Sequence, residues 1–360
     1  MLRGSNLSED VGVRLDDRDL VYLEPALAAT FERSSAVRGD LVFTSWGSVG
    51  QLGLIDEGSS YERYIVSNKQ MKLSPDLEQI VPAFLYYYLS QPRMVQEVKS
   101  RAIGSTIPGF NLGQLRALPI EIPALKQQRA IAEVLGALDE KIAANANLVE
   151  SVDSLAQAKF FAALRHAALQ PLSSCAEFVN GKAFTKGASG TGRVVARIAE
   201  LNSGISSSTV FSDAEVDDKH VARPGDILFA WSGSLTLHRW YRDDAIVNQH
   251  IFKVIPKAGN ADWLVYQLLR HKLTEFKMIA ADKATTMGHI QRRHLDEPVL
   301  VPAREEVEKV ATVMQALWDT ALTAEREKLA LISLRDALLP QLMSGKLQVK
   351  DAADLVEAAV

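Results

Sequence analysis

Ten residues written twice constrain this chain more than any other feature. Residues 39–48 read GDLVFTSWGS and residues 225–234 read GDILFAWSGS, 225 − 39 = 186 positions apart. The likeness continues on both sides. YIVSNKQMKLSP (64–75) matches AIVNQHIFKVIP (245–256), and FLYYYL (84–89) matches WLVYQL (263–268). STIPG (105–109) resembles ATTMG (284–288), LPIEIPA (118–124) matches EPVLVPA (297–303), and LRGSNL (2–7) is set against IAELNS (198–203). A period this long exceeds any solenoid repeat and reads as duplication of a whole domain.

Each copy keeps one order of elements. A Gly-Asp turn opens a short strand, and an alternating apolar and polar run makes the next. A helix follows, with Phe84, Leu85, Tyr88 and Leu89 in one copy and Trp263, Leu264 and Leu268 in the other. A polar loop and a short apolar strand ending in proline close the copy. After Pro123, and again after Pro302, the chain turns into one long helix. Ile131, Leu135, Leu138, Ile142, Asn145, Val149 and Val152 alternate spacings of four and three. So do Val310, Met314, Leu317, Ala321 and Ala324, with Leu331, Leu334 and Leu338 beyond them. Each helix covers about forty residues, roughly 60 Å at 1.5 Å rise per residue. A helix of that length with one apolar seam needs a partner, and the other helix is at hand.

The expected fold class is therefore α+β: two duplicated domains of small mixed sheet plus helices, separated by two long antiparallel coiled-coil helices. The expected boundaries are 1–122, a first spacer helix at 123–168, 169–301, a second spacer helix at 302–345, and an acidic tail at 346–360. Residues 170–197 have no counterpart before Met1. The first copy is thus expected to lack its opening strand, through a start assigned too far downstream or a trimmed domain. The tail after Val349 is expected to compensate in part by packing near the first domain.

A length of 360 residues suits two domains, and 47% apolar with 23% charged residues is a globular balance. No run of eighteen apolar residues occurs, so no membrane span is expected. MLRGSNLSEDVG lacks the apolar centre of a secretory signal. A single cysteine, Cys175, excludes an intrachain disulfide or a cysteine zinc site and fits the cytoplasm. The net charge of −4 argues against an extended basic face. It is unevenly spread. Residues 1–122 hold 12 basic and 15 acidic side chains, whereas residues 169–300 hold 16 and 14, plus six of the seven histidines. Any nucleic-acid site is local.

Catalytic motifs are missing. There is no Pro-Pro-Tyr or Pro-Pro-Phe loop of an amino-methyltransferase and no His-Glu-x-x-His. GKAF (181–184) and GKLQ (345–348) lack the spacing and hydroxyl of a phosphate loop, and GSVGQLG (47–53) lacks the dinucleotide fingerprint. Asp139-Glu140-Lys141 imitates the tail of a metal-nuclease motif, but it lies on the coiled-coil helix without a companion acid and is expected to be a solvated face, and His166 and His271 are scattered singly. The chain is expected not to be an enzyme.

The helix entry LPIEIPALKQQRAIAEVLGALDEKI and the ending LRDALLPQLMSGKLQV, set around two variable domains, resemble the specificity subunit of a type I restriction-modification system. The resemblance covers almost the whole chain. It implies two target recognition domains, each reading half of a bipartite, asymmetric sequence in double-stranded DNA, with the paired helices fixing the gap. It further implies two methyltransferase subunits as partners, and restriction or translocase subunits where the system has them. No cofactor is implied in this chain. S-adenosylmethionine belongs to the methyltransferase, and ATP and Mg to a restriction subunit. The alternative is a free-standing or decayed two-domain DNA-binding or regulatory protein without methyltransferase partners.

Base readout favours Arg on guanine, Asn or Gln on adenine, and Ser or Thr on either. Loop positions of these types give the candidates. In the first copy they are Ser45, Ser48 and Gln51, then Lys99, Arg101, Ser105, Thr106 and Asn111. In the second they are Ser232, Ser234, His238 and Arg239, then Lys283, Thr285, Thr286, His289, Gln291, Arg292 and Arg293. Tyr86, Tyr87 and Tyr88 are expected to pack, as are Trp231 and Trp240. Partner docking is expected near Gln127, Gln128 and Arg129 at the first helix entry and Glu305 and Glu306 at the second.

Overall fold

The computed structural model describes residues 1–104, 108–257, 259–281 and 288–359. It divides into two compact units. Unit 1 comprises Met1–Ala144 with Leu329–Val360, and unit 2 comprises Asn145–Lys328. The cuts fall inside the long helices, Leu125–Ala163 and Arg304–Met343.

In unit 1 the strand Leu41–Thr44 sits between Leu52–Leu54 and Gln70–Leu73, antiparallel to both. All four of its residues are buried. A second pair, Ser35–Val37 with Arg63–Ile65, joins Leu2, which bridges Val66 in parallel. Two helices cover the sheet, Pro82–Ser90 and Pro92–Arg101. The break between them is the sequence Gln91-Pro92. Proline lacks the N–H that would continue the first helix and pushes the preceding residue out of the helical region, and Gln91 is extended (φ −63°, ψ 146°). Tyr86, Tyr87 and Tyr88 are all buried in the core beneath.

Unit 2 repeats this frame and enlarges it. Ile227–Ala230 pairs with Thr236–Arg239 and Ile251–Pro256, the counterparts of the three strands in unit 1. A fourth strand, Ala176–Asn180, pairs with Ile251–Pro256. Among the described residues, Gln70–Leu73 in unit 1 has no strand on that edge. A second sheet places Ala245–Val247 parallel to Arg193–Ala196. One uninterrupted helix, Asp262–Ala281, replaces the broken pair of unit 1, because no proline interrupts it.

The backbone corrects two alignments drawn from sequence. Ser67 donates its N–H to Leu2 O as Asn248 donates to Ala196 O, each at 3.1 Å. Leu2 therefore matches Ala196, and LRGSNL corresponds to residues 196–201 rather than 198–203. The shift pairs Arg3 with Arg197 and the buried Leu7 with Leu201. Likewise Gly47 N–H bonds Pro108 O and Gly233 N–H bonds Gly288 O, so Pro108 matches Gly288, one residue away from the STIPG and ATTMG alignment. Short loops let the register drift where composition alone gives no anchor.

The helical seam is buried as the heptad spacing requires. Ile131, Leu135, Leu138 and Ile142 pack with Leu331 and Leu338 in unit 1, and Ala156 and Phe160 pack with Met314 and Trp318 in unit 2. The opening half of one helix thus meets the closing half of the other, which is antiparallel pairing. The tail forms a helix, Val349–Glu357, whose Ala352 and Val356 enter the core of unit 1.

Candidate nucleic-acid interface

Each copy builds its surface turn in the same way. Gly39 and Gly225 take positive φ, 90° and 97°, a conformation that costs glycine nothing. The next residue closes the turn. Asp40 Oδ2 accepts from Val37 N–H at 2.9 Å, and Asp226 Oδ2 accepts from Arg223 N–H at 2.6 Å. The buried central strand then delivers the chain to an exposed turn, Trp46–Ser48 in unit 1 and Ser232–Ser234 in unit 2. A second segment docks beside it. Phe110 N–H bonds Ser45 O at 2.8 Å, and Ile290 N–H bonds Trp231 O at 3.1 Å. The two candidate stretches in each copy, some sixty residues apart in sequence, therefore lie on one surface.

Below the turn a lysine is shared by both copies. Lys72 Nζ donates to Ser35 O at 2.6 Å, and Lys253 Nζ donates to Val221 O at the same distance. Lys253 also pairs with Asp226 at 2.8 Å. Lys253 is buried and structural, since a buried ammonium is tolerable only with such partners, while Lys72 is half-buried.

The docked segment is fixed by a helical turn after it. Asn111 Oδ1 accepts from Gln114 N–H at 3.0 Å while Gln114 Oε1 accepts from Asn111 N–H at 2.7 Å, a reciprocal cap. In unit 2 His294 Nδ1 accepts from Gln291 N–H at 3.0 Å. Asn111 and Gln291 are equivalent, so Leu112 matches Arg292 and Gly113 matches Arg293.

Several candidates are on this surface. Ser48, Asn111, Ser234, Gln291, Arg292 and Arg293 are exposed, and Gln51, Ser232 and His289 are half-buried. Ser232 bridges His289 across the docked pair. Gln51 Oε1 accepts from Thr44 Oγ1 at 3.3 Å. Lys99 is paired with Glu9 at 2.7 Å, and Arg101 with Glu97 at 2.6 Å and with Ala117 O at 2.9 Å. Arg292 and Arg293 carry no ion pair among the described residues. Ser105, Thr106, Lys283, Thr285 and Thr286 lie outside the described residues.

Four candidates are corrected by their burial. Ser45 faces the interior, and Trp46 points outward in its place. Arg239 is only 4% exposed. Its Nε donates to Glu325 at 2.9 Å, Asp153 lies 3.5 Å away, and the guanidinium stacks over Trp318 at 4.7 Å. Burial opposes its charge, and the Glu325 hydrogen bond with the two carboxylates outweighs that, so its pKa is raised. His238, its neighbour on the strand, is held neutral because burial lowers its pKa to about 4. Gln128 is fully buried. Its Oε1 accepts from Val81 N–H at 2.9 Å and its Nε2 donates to Gln79 O and Pro123 O. It latches the helix to unit 1 and is not a docking residue. Gln127 and Arg129 stay exposed, and Glu305 and Glu306 both pair with Lys309.

Sequence reasoning missed Trp46, Ile103 and Leu112, which are 55%, 68% and 46% exposed around the first turn. Only polar residue types were taken as candidates there. It also missed a hollow of about 340 Å³ in unit 2, floored by Trp231, Phe252 and Ile290 and rimmed by Asn180, Gln291 and Arg292. Trp231 Nε1 donates to Asn180 Oδ1 at 2.8 Å there. Trp240, by contrast, is core. Asp139, expected on a solvated helical face, is instead buried among Arg335 at 3.0 Å, Tyr87 at 2.6 Å and Arg14 at 3.8 Å, which supply the partners a buried carboxylate needs. No group of metal-binding side chains occurs among the described residues. No helix among them is long and apolar enough to cross a membrane.

A family model for the type I restriction modification DNA specificity domain matches residues 34–153. The HindI type I restriction enzyme specificity subunit of Haemophilus influenzae is 27% identical over 101 residues, 28% of this chain and 22% of that one. The MjaIX specificity subunit of Methanocaldococcus jannaschii is 22% identical over 352 aligned residues, 87% of this chain and 79% of that one. The chain thus spans under a quarter of the first relative and about four-fifths of the second. Among solved structures, the S subunit of a type I restriction-modification system from M. genitalium shares the fold. The TM-score is 0.56 over 95% of this chain and 91% of that one, at 17% identity.

Proposed function

We propose, from the premise that this chain belongs to the specificity-subunit family of type I restriction-modification systems, that it targets such a complex to a bipartite DNA sequence. Unit 1 reads one half-site and unit 2 the other. The long helices carry two adenine methyltransferase subunits, to which restriction subunits add where they exist. The chain itself performs no chemistry: S-adenosylmethionine, ATP and Mg act on the partners.

One observation carries this reading. The turn-on-turn frame is built twice with the same backbone bonds, while the residues at its tip differ: Trp46 against Ser232, Leu112 against Arg292, Gly113 against Arg293. A shared frame with divergent tips suits a protein that must present two different sequences to one duplex. Side chains on base edges specify, and phosphate contacts only position. Methyltransferase partners would add phosphate contacts, which reconciles a net charge of −4 with DNA binding.

Co-expression with the adenine methyltransferase of the same host tests the assembly. Solution mass is expected to give one copy of this chain with two methyltransferase subunits. A chain that stays alone at micromolar concentration supports the free-standing alternative instead.

A further inference from the structure

The two tips differ in chemistry as well as in sequence. In unit 2 the hollow is rimmed by Arg292 and Asn180, beside Gln291 and His289, whose side chains can both donate and accept. Arg292 and Arg293 are exposed, are without an ion pair among the described residues, and have no acceptor atom. Asn180 offers only its amide N–H2 group. An indole N–H can only donate, so Trp231 Nε1 at 2.8 Å fixes Asn180 Oδ1 as the bonded atom and turns Nδ2 outward. Arg292 and Asn180 rim the same hollow, whose floor of Trp231, Phe252 and Ile290 offers flat apolar surface.

In the major groove guanine presents two acceptors, N7 and O6, and no donor. Adenine pairs an acceptor with a donor, cytosine presents a donor, and thymine presents one acceptor beside a methyl group. A guanidinium, which only donates, is complementary to guanine and mismatched to the adenine and cytosine donors. Arg292 sits on a fixed element, since the turn from Gln291 is capped by His294 and the segment before it is bonded to Trp231. A positioned guanidinium keeps the planar fork needed for a bidentate contact.

Unit 1 has none of this. Leu112 stands where Arg292 stands, no strand among the described residues supplies a counterpart of Asn180, and Trp46 lies over Gly109, where a Cβ would meet its ring at 3.0 Å. Its cations Lys99 and Arg101 are already paired. We infer that the half-site read by unit 2 contains a guanine recognised by Arg292, with Asn180 as the flanking donor, and that unit 1 reads its half-site without a guanidinium, through an apolar tip led by Trp46. Arg292 is thus the specificity-determining residue of the second half-site.

This inference rests on the reading that the chain targets adenine methylation to a bipartite sequence. The experiment is a base-resolution map of adenine methylation in the native host carrying wild type, R292Q, R292K or W46S in place of the gene. The expected wild-type map shows a bipartite motif with a guanine in one half. R292Q is expected to relax that guanine alone, cutting preference for it by about 5- to 150-fold, the equivalent of a bidentate contact, and leaving the other half intact. The intact half controls for folding. R292K should retain overall methylation with a guanine preference weaker than wild type but stronger than R292Q, because an ammonium still donates to N7 and O6 but lacks the fork. W46S should alter only the other half. A bipartite motif unchanged by R292Q, or one changed at a base other than guanine, overturns the inference and leaves the targeting reading standing. A wild-type map with no motif that depends on this gene overturns both.

Discussion

The two units share a backbone frame yet neutralise their buried charge differently. At the long helices of unit 2 one guanidinium, Arg239, serves both acids. It lies between Glu325 and Asp153 and over the rings of Trp318 and Tyr266. Its counterpart in the unit 1 sheet is Leu54, because Ile227 faces Arg239 as Leu41 faces Leu54. Unit 1 instead divides the task. Arg335, 3% exposed, binds Asp139 from the second long helix, and the half-buried Arg14 reaches Asp56 and Tyr87. The equivalent tyrosines, Tyr87 and Tyr266, lie beside the helix acids in both units. A duplicated domain thus keeps its hydrogen-bonded turns and rebuilds its electrostatics, because backbone bonds depend on geometry whereas an ion pair needs only some cation within reach.

That contrast can be broken most forcefully at Arg239. R239A strands two carboxylates against aromatic rings, and chemical denaturation of the full chain should show unit 2 destabilised by about 3–5 kcal/mol. R14A should cost less, about 1–2 kcal/mol in unit 1, since Arg335 still neutralises Asp139. Equal losses would contradict the division of load.

Acid separates the units next. His238 has Gly53 as its counterpart, where a side chain would strike Leu7 Cδ2 at 2.6 Å, so unit 1 has no matching imidazole. The folded pKa of His238 lies near 4, below the usual 6.5. A folded state that refuses a proton loses stability as the unfolded chain takes one. The contribution is full above pH 6.5 and disappears as pH falls toward 4. It should reach about 2–3 kcal/mol in unit 2 across that window, with H238F flattening the profile. A profile unaltered by H238F would place the titration elsewhere.

The lysines beneath the turns sharpen the comparison further. K253M removes the partner of both Asp226 and Val221 O and should cost about 2 kcal/mol, whereas K72M loses only the Ser35 O bond and should cost about 1 kcal/mol. Reversed magnitudes would show that Asp226 contributes nothing.

Much of this architecture was legible in the sequence. The doubled Gly-Asp strand, the tyrosine and tryptophan helices and the heptad seams each imprint a period on the chain, and the turns and docked loops were singled out by polarity and glycine. What stayed hidden depends on distance through space. Arg239 and Gln128 read as surface residues because polarity was the only clue to their position, and their partners lie 86 and 47 residues away. Trp46 was passed over because only polar loop residues were taken as candidates, and the bridge to Gly109 reveals that its ring rests on a glycine at the surface. The tail was expected to pack on the first domain, and its helix follows from Val349, Ala352, Ala353 and Val356, spaced i, i+3, i+4 and i+7 on the face that meets the core, a period the sequence reading did not use.

The central claim is that two copies of one frame read two pieces of one DNA target. Base-by-base mapping of adenine methylation in the host, with the gene intact and deleted, tests it most directly. The account predicts one asymmetric motif of two defined halves around a gap of fixed length, methylated in the intact strain and unmethylated in the deletion. A motif that survives deletion, or a dependent motif that is continuous rather than split, would contradict it.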